Sequence, residues 1–184
     1  MKTREEALML LKKYNESEAL IKHAYAVEGV MRHFAELFGE DVEYWGQVGL
    51  LHDIDYEKWP EEHLQVAPRL LSDAGYDADF IRAVTGHGWG LCTDTKPEKP
   101  MEIAIYTIDE LTGLITASAY MRPSHSVMDM ELKSVKKKFK DKGFAAGVNR
   151  DVISNGADML GMTLDDVIEH TLAGMRNVHE ALGL

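Results

Sequence analysis

Six side chains of this sequence have the right types to hold a metal ion: His23, His52, Asp53, His63, His87 and Asp109. The adjacent pair His52-Asp53 draws attention first. With eight histidines and 14 aspartates in 184 residues, one such dipeptide is close to what chance supplies, so the wider arrangement has to carry the argument. His23 falls beside the apolar stripe of Leu20, Ala24 and Val27 on a helical pattern, and so points inward. His52 follows Val48 by one turn in another apolar segment. Asp109 is embedded in Ile105-Tyr106-Thr107-Ile108-Asp109-Glu110-Leu111, where a carboxylate is costly to bury unless it is paired or bound to a cation. Taken singly, each histidine has an ordinary reading as a core imidazole with both nitrogens satisfied. Imidazoles and carboxylates converging together make a mixed nitrogen and oxygen site. That set suits one or two divalent transition metal ions, Fe, Mn, Zn, Co or Ni, rather than copper(I) or a thiolate-bound zinc.

The elements needed to position these residues read almost entirely as helix. Thr3 and Glu6 form a capping-box pattern before Ala7 to Leu11. Ser17 is placed to cap a long helix ending at Gly39, with Leu20, Ala24, Val27, Met31, Phe34 and Phe38 at steps of three and four. Further helices are expected over 42–53, 61–74, 77–85, 101–121, 127–140, 149–160 and 163–182, the last capped by Thr163. A loop opens at Gly86, Gly88 and Gly90 and runs to Pro100. No strand-like alternation and no repeat is present. The expected architecture is all-α, one compact helical domain over 1–184, with a helical extension after Pro123.

The order of a histidine, a His-Asp pair and a distant aspartate within helices resembles the HD superfamily of metal-dependent phosphohydrolases. His23, His52, Asp53 and Asp109 stand at its four signature positions, 29 residues separating His23 from His52. His63 and His87 match two additional histidines of its dinuclear members. Leu50-Leu51-His52-Asp53-Ile54-Asp55 and Thr85-Gly86-His87-Gly88-Trp89-Gly90 add to the likeness, which covers 18–122 as an HD-type core. The segment 123–184 resembles the C-terminal extension of an uncharacterised branch. One departure stands out: many dinuclear members carry lysine three residues after the aspartate of the pair, where this chain has Tyr56. Lys58, two positions on, is the candidate for that role.

The resemblance implies that Asp53 bridges two cations. His23, His52 and Asp109 would complete one site, and His63 and His87 the second. A shared water would become hydroxide near neutral pH and attack phosphorus in line. The implied activity is hydrolysis of a small phosphate ester or nucleotide, with Asp53, Asp109 and Asp55 in the catalytic roles, Asp55 orienting the water. Rival readings are a di-iron oxygenase on the same fold and a non-enzymatic nucleotide-binding sensor.

Bulk composition bounds the partners. The formal net charge is −11 and 28% of residues are charged, which argues against a nucleic-acid polymer or an anionic membrane as partner. Cys92 is the single cysteine, so no intrachain disulfide can form. The charged start, Met1 to Glu6, is not a signal peptide, and no apolar run reaches the roughly 20 residues of a membrane span. A cytoplasmic location is expected; the oligomeric state stays open. Within this acidic chain, 131–150 carries Lys133, Lys136, Lys137, Lys138, Lys140, Lys142 and Arg150 against only Glu131 and Asp141. A lysine run is usually a solvated helix face. The functional alternative is that Arg122 and Lys136 bind substrate phosphate. Three weaker candidates remain. Glu28 is placed either to bond an imidazole or to lie on the surface, and Glu110 faces a similar choice. Trp89 is placed to pack or to stack on a base. His33 falls on the far, solvent side of its helix.

Overall fold

The computed structural model describes residues 2–184, and among them the regular structure is helical. α1 spans Arg4–Tyr14 and α2 Glu18–Phe38. The Thr3–Glu6 capping box is formed at the start of α1. Ser17 stands at the N-cap of α2 but makes no side-chain cap bond. The helix ends at Gly39, whose φ of 72° lies in the left-handed region that glycine enters without strain. α3, Val42–Leu51, stops two residues short of the expected end, and His52 and Asp53 stand on the turns that follow.

The next stretch departs furthest from expectation. Only a 3₁₀ turn, Pro60–Glu62, forms where the long fourth helix was expected, and α4 begins later, at Ala67–Asp73. The cause is tertiary. One oxygen of the buried Asp55 carboxylate accepts from the backbone N–H groups of both Leu64 and Ala67, at 2.9 and 2.8 Å. The chain is drawn back over that carboxylate, with Leu64 at a φ of 62°.

α5 (Ala78–Gly86) and α6 (Pro100–Tyr120) flank the glycine-containing loop. Then come α7 (Leu132–Lys140), α8 (Arg150–Leu160), α9 (Leu164–Asn177) and α10 (His179–Leu182). The expected helix over 127–140 therefore starts late. That over 163–182 is interrupted at Val178, where φ and ψ are −121° and 13°.

α2 lies at the centre, against α3, α9 and α6, and α8 packs on α6. Gly49 lets α3 close on α2: a Cβ there would lie 2.8 Å from the backbone oxygen of Val27. This approach brings the end of α3, and with it His52, beside His23 on α2. The core is apolar, with Phe34, Leu51, Phe80, Ile105, Ile108 and Leu111 fully buried. A second histidine pair ties the last helices to the first: His33 on α2, half-buried rather than solvent-facing, bonds His170 on α9 through Nε2 and Nδ1 at 3.0 Å.

Candidate metal centre

All six candidate ligands converge. His23 comes from α2, His52 and Asp53 from the end of α3, His63 from the segment before α4, His87 from the end of α5, and Asp109 from α6. Around one half of the cluster, His23 Nε2 lies 2.9 Å from Asp109 Oδ1 and 3.2 Å from His52 Nε2. His52 Nε2 lies 3.4 Å from Asp109 Oδ1 and 3.3 Å from Asp53 Oδ2. The other oxygen of Asp53, Oδ1, stands 3.5 Å from Nε2 of both His63 and His87. Asp53 thus turns one oxygen towards the first pair of imidazoles and the other towards the second. Two groups have ligand atoms close enough to hold an ion: His23, His52 and Asp109, and His52, Asp53 and His87.

The ring orientations are fixed from behind. His52 Nδ1 donates to Gly49 O at 2.7 Å and His87 Nδ1 to Val84 O at 2.6 Å. His63 Nδ1 donates to Asp55 Oδ1 at 2.9 Å. A carbonyl oxygen only accepts, so Nδ1 carries the proton and Nε2 of a neutral ring presents a lone pair. These lone pairs face carboxylate oxygens, so something positive must stand between them. A proton is one answer. Burial disfavours the charged imidazole of His52, but Asp53 and Asp109 outweigh burial and hold it well above its ordinary pKa. Burial likewise acts to raise Asp53 and Asp109, and the imidazoles overcome it, holding both carboxyls well below their ordinary range. A divalent cation is the other answer, and the donor set fits one. With donors about 2.0–2.2 Å from an ion, neighbouring donors lie about 3–3.5 Å apart, close to the spacings here. Nδ1 anchored by a carbonyl or carboxylate is the arrangement that orients metal-bound imidazoles.

The cluster opens into a cleft of about 310 Å³. Tyr56, Gly88, Leu91, Cys92, Glu110, Gly113 and Val148 complete its lining. Tyr56 is exposed and sets its ring edge-on to His63, with centroids 5.1 Å apart. Burial lifts the carboxyl of Glu110 above its ordinary value, although Asn149 N–H donates to it at 3.0 Å. Burial also pushes the Cys92 thiol up.

Several expected roles are corrected by these positions. Asp55 does not face the cleft: it is fully buried, and its oxygens are taken by His63, Leu64 and Ala67. Its place is behind the candidate ligand His63. Lys58 points away, donating to Lys13 O at 2.9 Å and lying over the Tyr14 ring. Arg122 pairs with Asp129, and Lys136 with Asp165 at 2.7 Å. Among the cleft-lining residues there is no lysine or arginine. Glu28 takes neither expected position: it is buried and pairs with Arg4 and Arg32. Trp89 packs on Tyr106, under Lys96. Gly113 and Val148 went unnoticed in the sequence. Gly113 was discoverable, since it follows Asp109 by four residues and shares its helix face. Val148 carried no signal, because its approach to the cleft depends on how α7 and α8 fold back. No protein-family model matches this chain, and no solved structure matches it.

Proposed function

We propose that this chain is a metal-dependent hydrolase of phosphoric esters, acting on a small phosphate ester or nucleotide, with an HD-type core over 18–122. The observation that supports this reading is Asp53, whose two oxygens face two separate imidazole pairs, three of the four rings being anchored at Nδ1. His23, His52, Asp109 and Oδ2 of Asp53 would hold one ion, and His63, His87 and Oδ1 the second. Such ions supply Lewis acidity, which lowers the pKa of water and offsets phosphoryl charge. The chain itself does the positioning. Gly49, Val84 and Asp55 fix three rings, and the cleft admits a substrate past Tyr56 and Glu110. With no lysine or arginine lining the cleft, recognition of phosphoryl charge falls to the metal centre.

The test is phosphate release from p-nitrophenyl phosphate and nucleoside monophosphates by protein loaded with Mn or Fe, together with elemental analysis. Release should require metal, and Asp53→Asn should lose metal and release together. His63→Ala and His87→Ala should each lower the metal count from about two to about one. Full metal content in Asp53→Asn overturns the assignment. The absence of cations from the cleft lining also suits an uncharged substrate, which keeps the di-iron oxygenase as a second reading. Substrate-dependent oxygen uptake without phosphate release would establish that reading instead.

A further inference from the structure

A second cavity, of about 270 Å³, adjoins the metal cleft. The two share His23 and Gly113 as lining residues. Beyond them its walls are mainly apolar: Ala117, the aliphatic parts of Thr116 and Tyr120, and Leu182 and Leu184 from the chain's last turns. Its one charged side chain, Lys22, is tied to Glu18 at 2.8 Å.

The helix spacing explains why the cavities share these two residues. On α6 the metal ligand Asp109 is followed at steps of three and four by Gly113, Thr116 or Ala117, and Tyr120, which form one face. On α2, Ala19 and Lys22 precede His23 on one face in the same way. The ligands His23 and Asp109 meet at 2.9 Å, and the cavity extends from that meeting point towards the start of α2 and the end of α6. At 1.5 Å per residue, Thr116 lies about 10 Å along α6 from Asp109. Gly113 stands at the junction. A Cβ there would meet only Val148, at 3.9 Å, so packing does not demand glycine, and a larger side chain would stand between the two cavities.

We propose that this cavity receives the apolar body of the substrate, which is therefore a phosphomonoester of an elongated apolar alcohol. The proposal rests on the phosphohydrolase reading for the position of the phosphoryl group, and on the shared lining for the rest. An apolar cavity of roughly 150 Å³ accepts a benzene ring, so this one takes a longer body. In the reaction, water attacks phosphorus and the ester P–O bond breaks. The water's oxygen stays with phosphate, and a proton passes to the departing alcohol.

The test is calorimetric binding of methyl-, butyl- and octylphosphonate, which cannot be hydrolysed at carbon, to the metal-loaded and the chelator-stripped protein. Affinity should rise about three- to fourfold per methylene until the cavity is filled, so octylphosphonate should bind at least about 30-fold more tightly than methylphosphonate. Ala117→Phe, which fills the cavity floor, and Gly113→Leu, which closes the junction, should each reduce that ratio to about threefold or less while metal content is retained. Two variants at different points keep the result readable if one fails to fold. Phosphonates that bind with no dependence on chain length overturn the cavity proposal and leave the phosphohydrolase reading intact. Chain-length dependence that persists without metal, with no phosphate released from octyl phosphate, supports the cavity and overturns the phosphohydrolase reading. A ratio that survives both variants overturns the cavity assignment.

Discussion

At the scale of single residues, the most consequential is Asp55, which does not itself line the cleft. Three donors converge on it: the ring of His63 and the backbone N–H groups of Leu64 and Ala67. Removing a buried acceptor leaves its donors unpaired, at about 1–3 kcal/mol each. Asp55→Ala should therefore destabilise the protein by about 3 kcal/mol or more in denaturant titration. It should also lower the metal count by about one, as His63→Ala does but with a larger loss of stability. Equal stability losses in the two variants would mean that Asp55 contributes nothing beyond holding His63. That the six candidate side chains come together was legible in the sequence, because a carboxylate and imidazoles placed in apolar helices demand a partner. The role of Asp55 was not, since a carboxylate two residues from Asp53 looks equally suited to holding a water. The cations were misleading for a related reason. Lys136 and Arg122 are near the site in sequence, but acidic residues close to them in the fold, Asp165 and Asp129, pair with them first.

At the scale of elements, the site depends on how closely α3 approaches α2. Gly49→Ala would place a methyl group 2.8 Å from a backbone oxygen that cannot rotate away. The helices must separate, at a cost of about 1–3 kcal/mol, and His52 moves with α3 away from His23. Thermal melting and metal titration should both register the change; a variant with native stability and native metal affinity would show that the contact is slack. Helices whose ends are set by local chemistry were legible: α1 from its capping box, and the end of α2 from Gly39. Those set by distant groups were not. α4 starts late because Asp55 holds the chain before it, and α9 breaks from α10 at Val178, whose side chain packs at Gly29 on α2. A Cβ on Gly29 would lie 2.6 Å from Val178 Cγ2. Neither event leaves a mark in local periodicity.

At the scale of the whole molecule, the C-terminal helices and the helices bearing the His/Asp cluster form one packed body, with α9 on α2 and α8 on α6. The His33–His170 bond spans that junction. Burial pushes His33 below its ordinary value, the neighbouring His170 adds to the effect, and Glu36 opposes it. The unfolded chain, with an ordinary imidazole near pH 6.5, therefore takes up the proton first as the pH falls. This contribution is intact above about pH 6.5 and is lost as the pH drops towards the lowered folded value. Melting temperatures measured at fixed metal content should fall over that interval less steeply in His33→Gln than in the native chain. Parallel curves would remove His33 from the account.

The contact between His23 and Asp109 joins positions 86 residues apart, and it has a consequence for the order of events in a cell. A ribosome delivers the chain from its first residue at roughly 5–20 residues per second, so His23 waits several seconds before Asp109 is made. His52, Asp53, His63 and His87 emerge during that wait without the carboxylate that completes the first half of the cluster. A metal ion met early finds a partial set of donors on an unfolded chain, and holds them no more firmly than scattered imidazoles would. Capture belongs to the finished fold, through a cleft whose wall includes Val148, a residue made later still. On the proposed function, loading therefore follows folding, and an ion that enters then would favour the folded chain over the unfolded one by mass action.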